Sequence, residues 1–152
     1  MRDEKALYDL AAALRRFMPD LWREWHMRAG SPLPSPLSTD TCGRTSLVLQ
    51  GVLADAGFQA VWRSGAADAG CGFFDGARWR SHSWIECGPF VVDITADQFG
   101  AAPVVVALVT DGRYRPGGGD RASGAARLNR RRCADTALLR WRQAVAPGRE
   151  SG

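Results

Sequence analysis

The stretch Arg80-Ser81-His82-Ser83-Trp84-Ile85-Glu86-Cys87-Gly88-Pro89-Phe90-Val91-Val92-Asp93-Ile94-Thr95 decides the fold. Two runs rich in aromatic and β-branched residues flank Gly88-Pro89, a pair suited to a turn, so the stretch reads as two strands, Arg80–Cys87 and Phe90–Thr95. With a two-residue loop Cys87 pairs with Phe90, Trp84 lies opposite Asp93, and His82 lies opposite Thr95. Opposed residues share a face, so His82, Trp84, Glu86, Val91, Asp93 and Thr95 point the same way and His82 becomes a diagonal neighbour of Asp93. A three-residue loop would send Asp93 to the opposite face.

Working towards the N-terminus, Phe58–Arg63 alternates and predicts another strand. Before it, Thr39, Asp40 and Thr41 are good helix caps and introduce a helix from about Cys42 to Ala56, with Gly57 as its C-terminal cap. Leu47, Val48, Leu49, Val52 and Leu53 cover most of that helix's circumference, which predicts deep burial. Pro32, Pro34 and Pro36 mark an extended loop. Leu7, Leu10, Ala11, Leu14 and Phe17 give residues 3–17 the spacing of an amphipathic helix, and Pro19 starts a short second one through Leu21, Trp22 and Trp25.

Towards the C-terminus, residues 64–78 read as a glycine-rich loop, with Phe73-Phe74 tucked beneath it, and Val104–Val109 as a further strand. Residues 110–126 hold five glycines and a proline and predict a mobile loop. A helix is expected from about Asp135 to Val145. Helices first, then one buried helix, then strands adjacent in sequence make an α+β pattern with an antiparallel sheet, without βαβ alternation. The 152 residues are expected to form one domain. Its parts are the N-terminal helices and proline-rich loop (1–40), the core (41–109), and a Gly/Arg-rich loop with its helix (110–152).

No run approaches the 18 apolar residues of a membrane span, and the N-terminus has no apolar secretory core. Four cysteines without a C-x-x-C spacing predict a reduced, cytoplasmic chain and no disulfide framework. The net charge of +4 is concentrated at the C-terminal end, where residues 111–152 hold ten basic and four acidic side chains. Arg127, Arg130, Arg131 and Arg132 could receive phosphate or an acidic partner, or simply form a solvated face. No nucleic-acid motif accompanies them, so a nucleic-acid partner is not expected.

Two histidines narrow the search for chemistry. His26 lies among tryptophans with no polar partner in view, which suits a structural role. His82, if held by Asp93, is an oriented base in need of something to deprotonate. Cys42 is the candidate, because the first turn of a capped helix favours a thiolate, and Gly43 beside it removes bulk. Cys71 and Cys133 lack such a setting, and Cys87 faces away from His82 along the same strand. Taken alone, a buried inert cysteine would be the ordinary reading of Cys42. No cofactor or metal is expected. Asp93, Thr95 and Asp97 suggest a calcium loop, but Gln98 and Val104 stand where glycine and glutamate are needed. Gly117-Gly118-Gly119 lacks the Lys-Ser/Thr of a phosphate loop, and the cysteine spacings fit no zinc pair.

Thr41-Cys42-Gly43-Arg44-Thr45-Ser46, His82-Ser83-Trp84-Ile85-Glu86 and Val92-Asp93-Ile94-Thr95-Ala96-Asp97-Gln98-Phe99 together resemble the transglutaminase-like branch of the papain-like cysteine protease superfamily. There the cysteine heads a buried helix, the histidine opens a strand in an H-x-W-x-E pattern, and the aspartate follows on the next strand in D-x-T. The resemblance covers residues 41–99. It implies a papain/transglutaminase-like fold, a Cys42 nucleophile, His82 as base and then acid, and Asp93 fixing its tautomer. It further implies a thioester intermediate formed from an amide or peptide bond of a protein or peptide substrate, in a protease, amidase, deamidase or transglutaminase type of reaction. Trp84 is expected to pack beside or under the triad.

The chain departs from the family pattern in one respect: residues 31–41 lack the glutamine that usually completes the oxyanion hole. The Cys42 backbone N–H supplies one donor, and Gln98 is the candidate for the second. The missing side chain also motivates a different class of function, an inactive papain-like-fold binding or adaptor module for a protein or acidic partner.

Overall fold

A computed structural model describes residues 2–147. In chain order its elements are α1 (Arg2–Phe17), α2 (Pro19–Arg28), α3 (Cys42–Asp55), β1 (Ala60–Gly65), β2 (Gly72–Phe74), β3 (Trp79–Arg80), β4 (His82–Cys87), β5 (Phe90–Asp93), β6 (Val105–Leu108), β7 (Tyr114–Arg115) and α4 (Gly124–Val145). Short 3-10 turns at Ala67–Ala69 and Ala96–Phe99 complete the set. The class is α+β, but with two antiparallel sheets where one was expected: β1-β4-β5-β6, and a small β3-β2-β7.

The β4–β5 hairpin turns on Gly88-Pro89, with Cys87 opposite Phe90 and Ile85 opposite Val92. This register sorts the larger sheet into two faces. Ile85, Cys87, Phe90 and Val92 join the core made with the helices, including Leu14, Trp22, Val48, Leu53, Ala137 and Trp141. Trp84, Val91 and Val105 face the other way, onto Phe73 and Tyr114 of the small sheet. Truncating a fully buried member such as Leu53 or Ile85 to alanine costs about 2–5 kcal/mol by lost burial and a residual cavity.

Three expectations are corrected. β5 stops at Asp93, because the Thr95 N–H turns back to bond the Asp93 carboxylate (2.9 Å), and the chain enters a 3-10 turn before Thr95 can pair with His82. Residues 110–126 are not a free loop. They contribute β7 to the small sheet, and Gly117 exchanges backbone hydrogen bonds with Ser64 (3.1 Å) and Ala66 (2.9 Å). The closing helix starts at Gly124, capped by Ser123, eleven residues before the expected Asp135. Its first half is polar and gives no apolar signal; burial is confined to Ala134, Ala137 and Trp141.

Candidate active site

Cys42 opens α3, and the residues before it explain how it is held. Thr41 is the N-cap residue by position, yet no side chain accepts from the first-turn N–H groups. Its hydroxyl instead donates to the Ser38 carbonyl (2.7 Å) and accepts from Thr45 (3.1 Å), which in turn accepts from the Trp22 indole (2.9 Å). The helix therefore begins on a buried polar network, and its dipole end stays free for an anion. Further along the same helix the Ser46 hydroxyl donates to the Ser83 carbonyl (3.1 Å), docking α3 on the start of β4.

His82 and Asp93 meet as the hairpin register requires. The His82 Nε2 is 2.7 Å from Asp93 Oδ2 in a fully enclosed setting. Asp93 also accepts from the Tyr114 hydroxyl (2.8 Å) on that same oxygen, and from the Thr95 N–H and hydroxyl (2.9 and 3.2 Å) on the other. Four donors around one buried carboxylate offset its desolvation and keep it ionised. With Nε2 committed to Asp93, Nδ1 is the nitrogen left for Cys42; it is buried, and no oxygen or nitrogen of the described residues takes it up.

The three groups shift one another strongly. Burial disfavours the Cys42 thiolate, but the hydrogen bond and positive charge of His82, with a backbone hydrogen bond from Ser83, outweigh it and hold the thiol below its ordinary 9.0. Burial would likewise neutralise His82, yet the Asp93 carboxylate and the Cys42 sulfur raise it from 6.5 to about 10. Asp93, opposed by burial, stays below its ordinary 3.8 through His82, Thr95 and Tyr114. Burial and the Asp93 charge push Tyr114 far above its ordinary range, so it remains a proton donor to Asp93 at all working pH values. Both shifts favour a thiolate–imidazolium pair over a neutral thiol and imidazole. The neighbouring thiol Cys87, on the helix face of β4, goes the other way: burial pushes it up to about 11.

Aromatic rings enclose the imidazole. Trp84 lies roughly parallel to it (centroids 6.1 Å apart, 23°), and Phe99 and Phe73 present their edges or faces at 5.1 and 6.0 Å. Trp84 is fully buried beside His82, where it was expected, and its indole N–H has no acceptor among the described residues. Gln98 is spent elsewhere. Its amide N–H donates to the Thr95 carbonyl (3.0 Å) and its oxygen accepts from Asp40 N–H (3.2 Å), so it braces the turn that launches α3 and lies outside the cleft at Cys42. His26 holds the Leu37 carbonyl (2.9 Å), a structural tie.

A cleft of about 230 Å³ opens over Cys42 and His82, walled by the end of β1 at Gly65, by residues 119–122 and by Arg130. Gly43 does not leave bulk out for a ligand, as the sequence suggested; the space its side chain would fill is taken by Arg130, whose Cδ lies 2.8 Å from that point. Of the four clustered arginines, Arg127 and Arg130 turn inward to Asp120, while Arg131 faces Asp135 at 4.0 Å. Tyr114 is the functional neighbour that sequence reasoning missed. It sits in a two-residue strand inside a glycine-rich segment, and only its aromatic character marks it.

No group of described residues could hold a metal ion, and no described helix is long and apolar enough to cross a membrane. No family model, curated protein or solved structure matches the chain.

Proposed function

We propose that the chain is a cysteine hydrolase or acyltransferase of the transglutaminase-like, papain-like type, acting on an amide or peptide bond. The observation that carries this reading is the buried Asp93–His82 pair, whose histidine shares a cleft with Cys42 at an uncapped helix N-terminus. The Cys42 thiolate attacks the carbonyl carbon, forming a C–S bond while the carbonyl π pair moves to oxygen. The Cys42 backbone N–H steadies that oxyanion. As the tetrahedral species collapses, the C–N bond breaks and the leaving nitrogen takes the Nδ1 proton of His82, leaving a thioester. Water, or a second amine, then attacks the thioester and gives its proton to Nδ1, and sulfur leaves as thiolate. Asp93 keeps the Nε2 proton in place throughout and steadies the imidazolium without being protonated.

The adaptor alternative finds less support, because the cleft opens on Cys42 and the surroundings of its thiol favour the thiolate. The test is the pH dependence of iodoacetamide alkylation at each cysteine, mapped by peptide mass analysis. Cys42 should react fast well below pH 9, and His82→Ala should move its half-point up by at least one pH unit, a cost of about 1.4 kcal/mol in thiolate stability. Equal rates at Cys42 and Cys133 in the wild type would hand the lead to the adaptor reading. If Cys42 is armed, a screen of amide and peptide libraries follows, in which Cys42→Ala should abolish turnover with the fold intact.

A further inference from the structure

Arg130 and Asp120 wall the same cleft as Cys42 and His82. The arginine is rigidly held. Its guanidinium lies over the Trp62 ring (4.7 Å), and its stem presses on the backbone of Gly43, where no side chain intervenes. Trp62 in turn donates its indole N–H to the Gly43 carbonyl (3.4 Å), tying ring, arginine and the first turn of α3 together. The Arg130 side chain is 19% exposed, and its Nε is buried without an acceptor. A preorganised guanidinium with a donor to spare, packed on the residue next to the proposed nucleophile, is an anion receptor.

The anion it holds is the protein's own. The Asp120 carboxylate accepts from Arg130 and from the Ala122 N–H (3.1 Å) and pairs with Arg127 at 3.4 Å, while the backbone carbonyl of Asp120 accepts from Arg127 (2.8 Å). Asp120 arrives on Gly117-Gly118-Gly119, whose φ angles of 150°, 80° and 74° are all positive. Gly117 is tied by backbone hydrogen bonds to Ser64 and Ala66, and the Gly118 carbonyl accepts from Arg121, so the backbone of that wall is anchored and exchange of the carboxylate falls to the Asp120 side chain. Asp120 is the one carboxylate among the described residues that line the cleft, against two arginines, Arg121 and Arg130.

We infer that Arg130 is the subsite for a substrate carboxylate, and that Asp120 fills it in the resting protein as an internal stand-in. The substrate would then be an amide whose carbonyl lies close to a carboxylate, either an acidic side chain or a free C-terminal carboxyl group. Binding exchanges one carboxylate for another on the same guanidinium, so no bare charge is buried at any stage. This inference rests on Cys42 being the nucleophile.

Iodoacetate and iodoacetamide test it, since the sulfur displaces iodide from the CH2 carbon of each, gaining a carboxymethyl or a carbamoylmethyl group, and the two differ mainly in charge. Rate constants at Cys42 are measured at one pH and ionic strength, and each is divided by the value for glutathione. The normalised iodoacetate-to-iodoacetamide ratio should exceed one by about tenfold in the wild type, the size of one charge-assisted hydrogen bond. Arg130→Met should cut it about tenfold and Arg130→Lys less. Asp120→Asn, which removes no packing around Trp62, should raise it. A ratio unchanged across wild type, Arg130→Met and Asp120→Asn would overturn the subsite while Cys42 still outpaced Cys133 with iodoacetamide. Loss of that lead would instead sink the nucleophile and the subsite with it. Protection of Cys42 by N-acetylglutamate α-amide supports the subsite and assigns an acidic side chain. Protection by its isomer N-acetylglutamine supports it and assigns a terminal carboxylate; protection by neither at millimolar concentration counts against it.

Discussion

Asp93 shows how far a single residue depends on distant ones. Its partners come from β4, from the turn just after β5, and from β7, so the carboxylate is fixed by three segments that share no local signal. Tyr114→Phe keeps the ring against Phe73 (5.1 Å) and Trp84 (5.3 Å) but removes one donor. It should cost about 1–3 kcal/mol in urea unfolding, the range for a lost hydrogen bond to a buried charge. A purely structural tyrosine would stop there. Because Asp93 raises His82, and His82 lowers Cys42, the alkylation half-point of Cys42 should also move. With one donor gone, the Asp93 charge is less spread and falls more fully on His82, so the imidazolium is held more firmly and the half-point moves down. An unmoved pH profile in a folded Tyr114→Phe protein would reduce Tyr114 to packing.

At the scale of elements, legibility tracked how local the cause was. The hairpin was readable because its turn and both strands lie within a dozen residues, and α3 because Leu47, Val48, Leu49, Val52 and Leu53 announce a buried helix with Thr41 before it and Gly57 after it. The small sheet was not, since β2, β3 and β7 are two or three residues long and exist only by pairing with one another. The start of α4 was hidden for a related reason: Gly124–Arg132 buries no hydrophobic side chain, and what holds it is Asp120 gripping Arg127 and Arg130. The α3–α4 contact is also tight where the sequence is silent. A side chain on Gly51 would begin 2.3 Å from Leu138 Cδ2. Gly51→Ala gains up to about 1 kcal/mol in helix propensity, yet wedging the two helices apart costs about 1–3 kcal/mol, so a net loss of stability is expected. A thermal midpoint at or above wild type would mean that Leu138 can step aside at no cost.

Across the whole molecule, the coupled site writes a signature into stability against pH. His82, raised from 6.5 to about 10, contributes stability that is complete below 6.5 and lost as pH rises through 10. Cys42, lowered from 9.0, works in the opposite sense, its contribution present above 9.0 and lost as pH falls through its folded value. Above both 6.5 and the folded Cys42 value, the proton that His82 keeps is the one Cys42 gave up, so folded and unfolded chains bind equal numbers and the wild type should be flat there up to about pH 9. Cys42→Ser removes the compensation. Its unfolding free energy, taken as the difference from wild type, should fall by up to about 1.4 kcal/mol per pH unit from 6.5 upward. A parallel pair of curves would show that the thiol and the imidazole titrate independently. Asp93, held below 3.8, adds an acid limb: its contribution is complete above that value and disappears as pH drops through the lower folded one.

Arg15 connects this chemistry to the far end of the chain. From α1 it forks onto Asp97 (2.8 and 3.0 Å) and caps the Ile94 carbonyl (2.8 Å), while Ser38 reaches the same aspartate (2.6 Å). One guanidinium thus clasps the chain just after Asp93 to the loop that leads into Cys42. The opposite end is bound in as firmly, because α4 lays Ala134, Ala137 and Trp141 into the helical core against α3. That arrangement sets a timetable for synthesis. Cys42 leaves the ribosome early, but the cover for its helix, and the arginine over its first turn, come after every other element described. A nascent chain therefore leaves the first turn of α3 uncovered until the last described helix has been made.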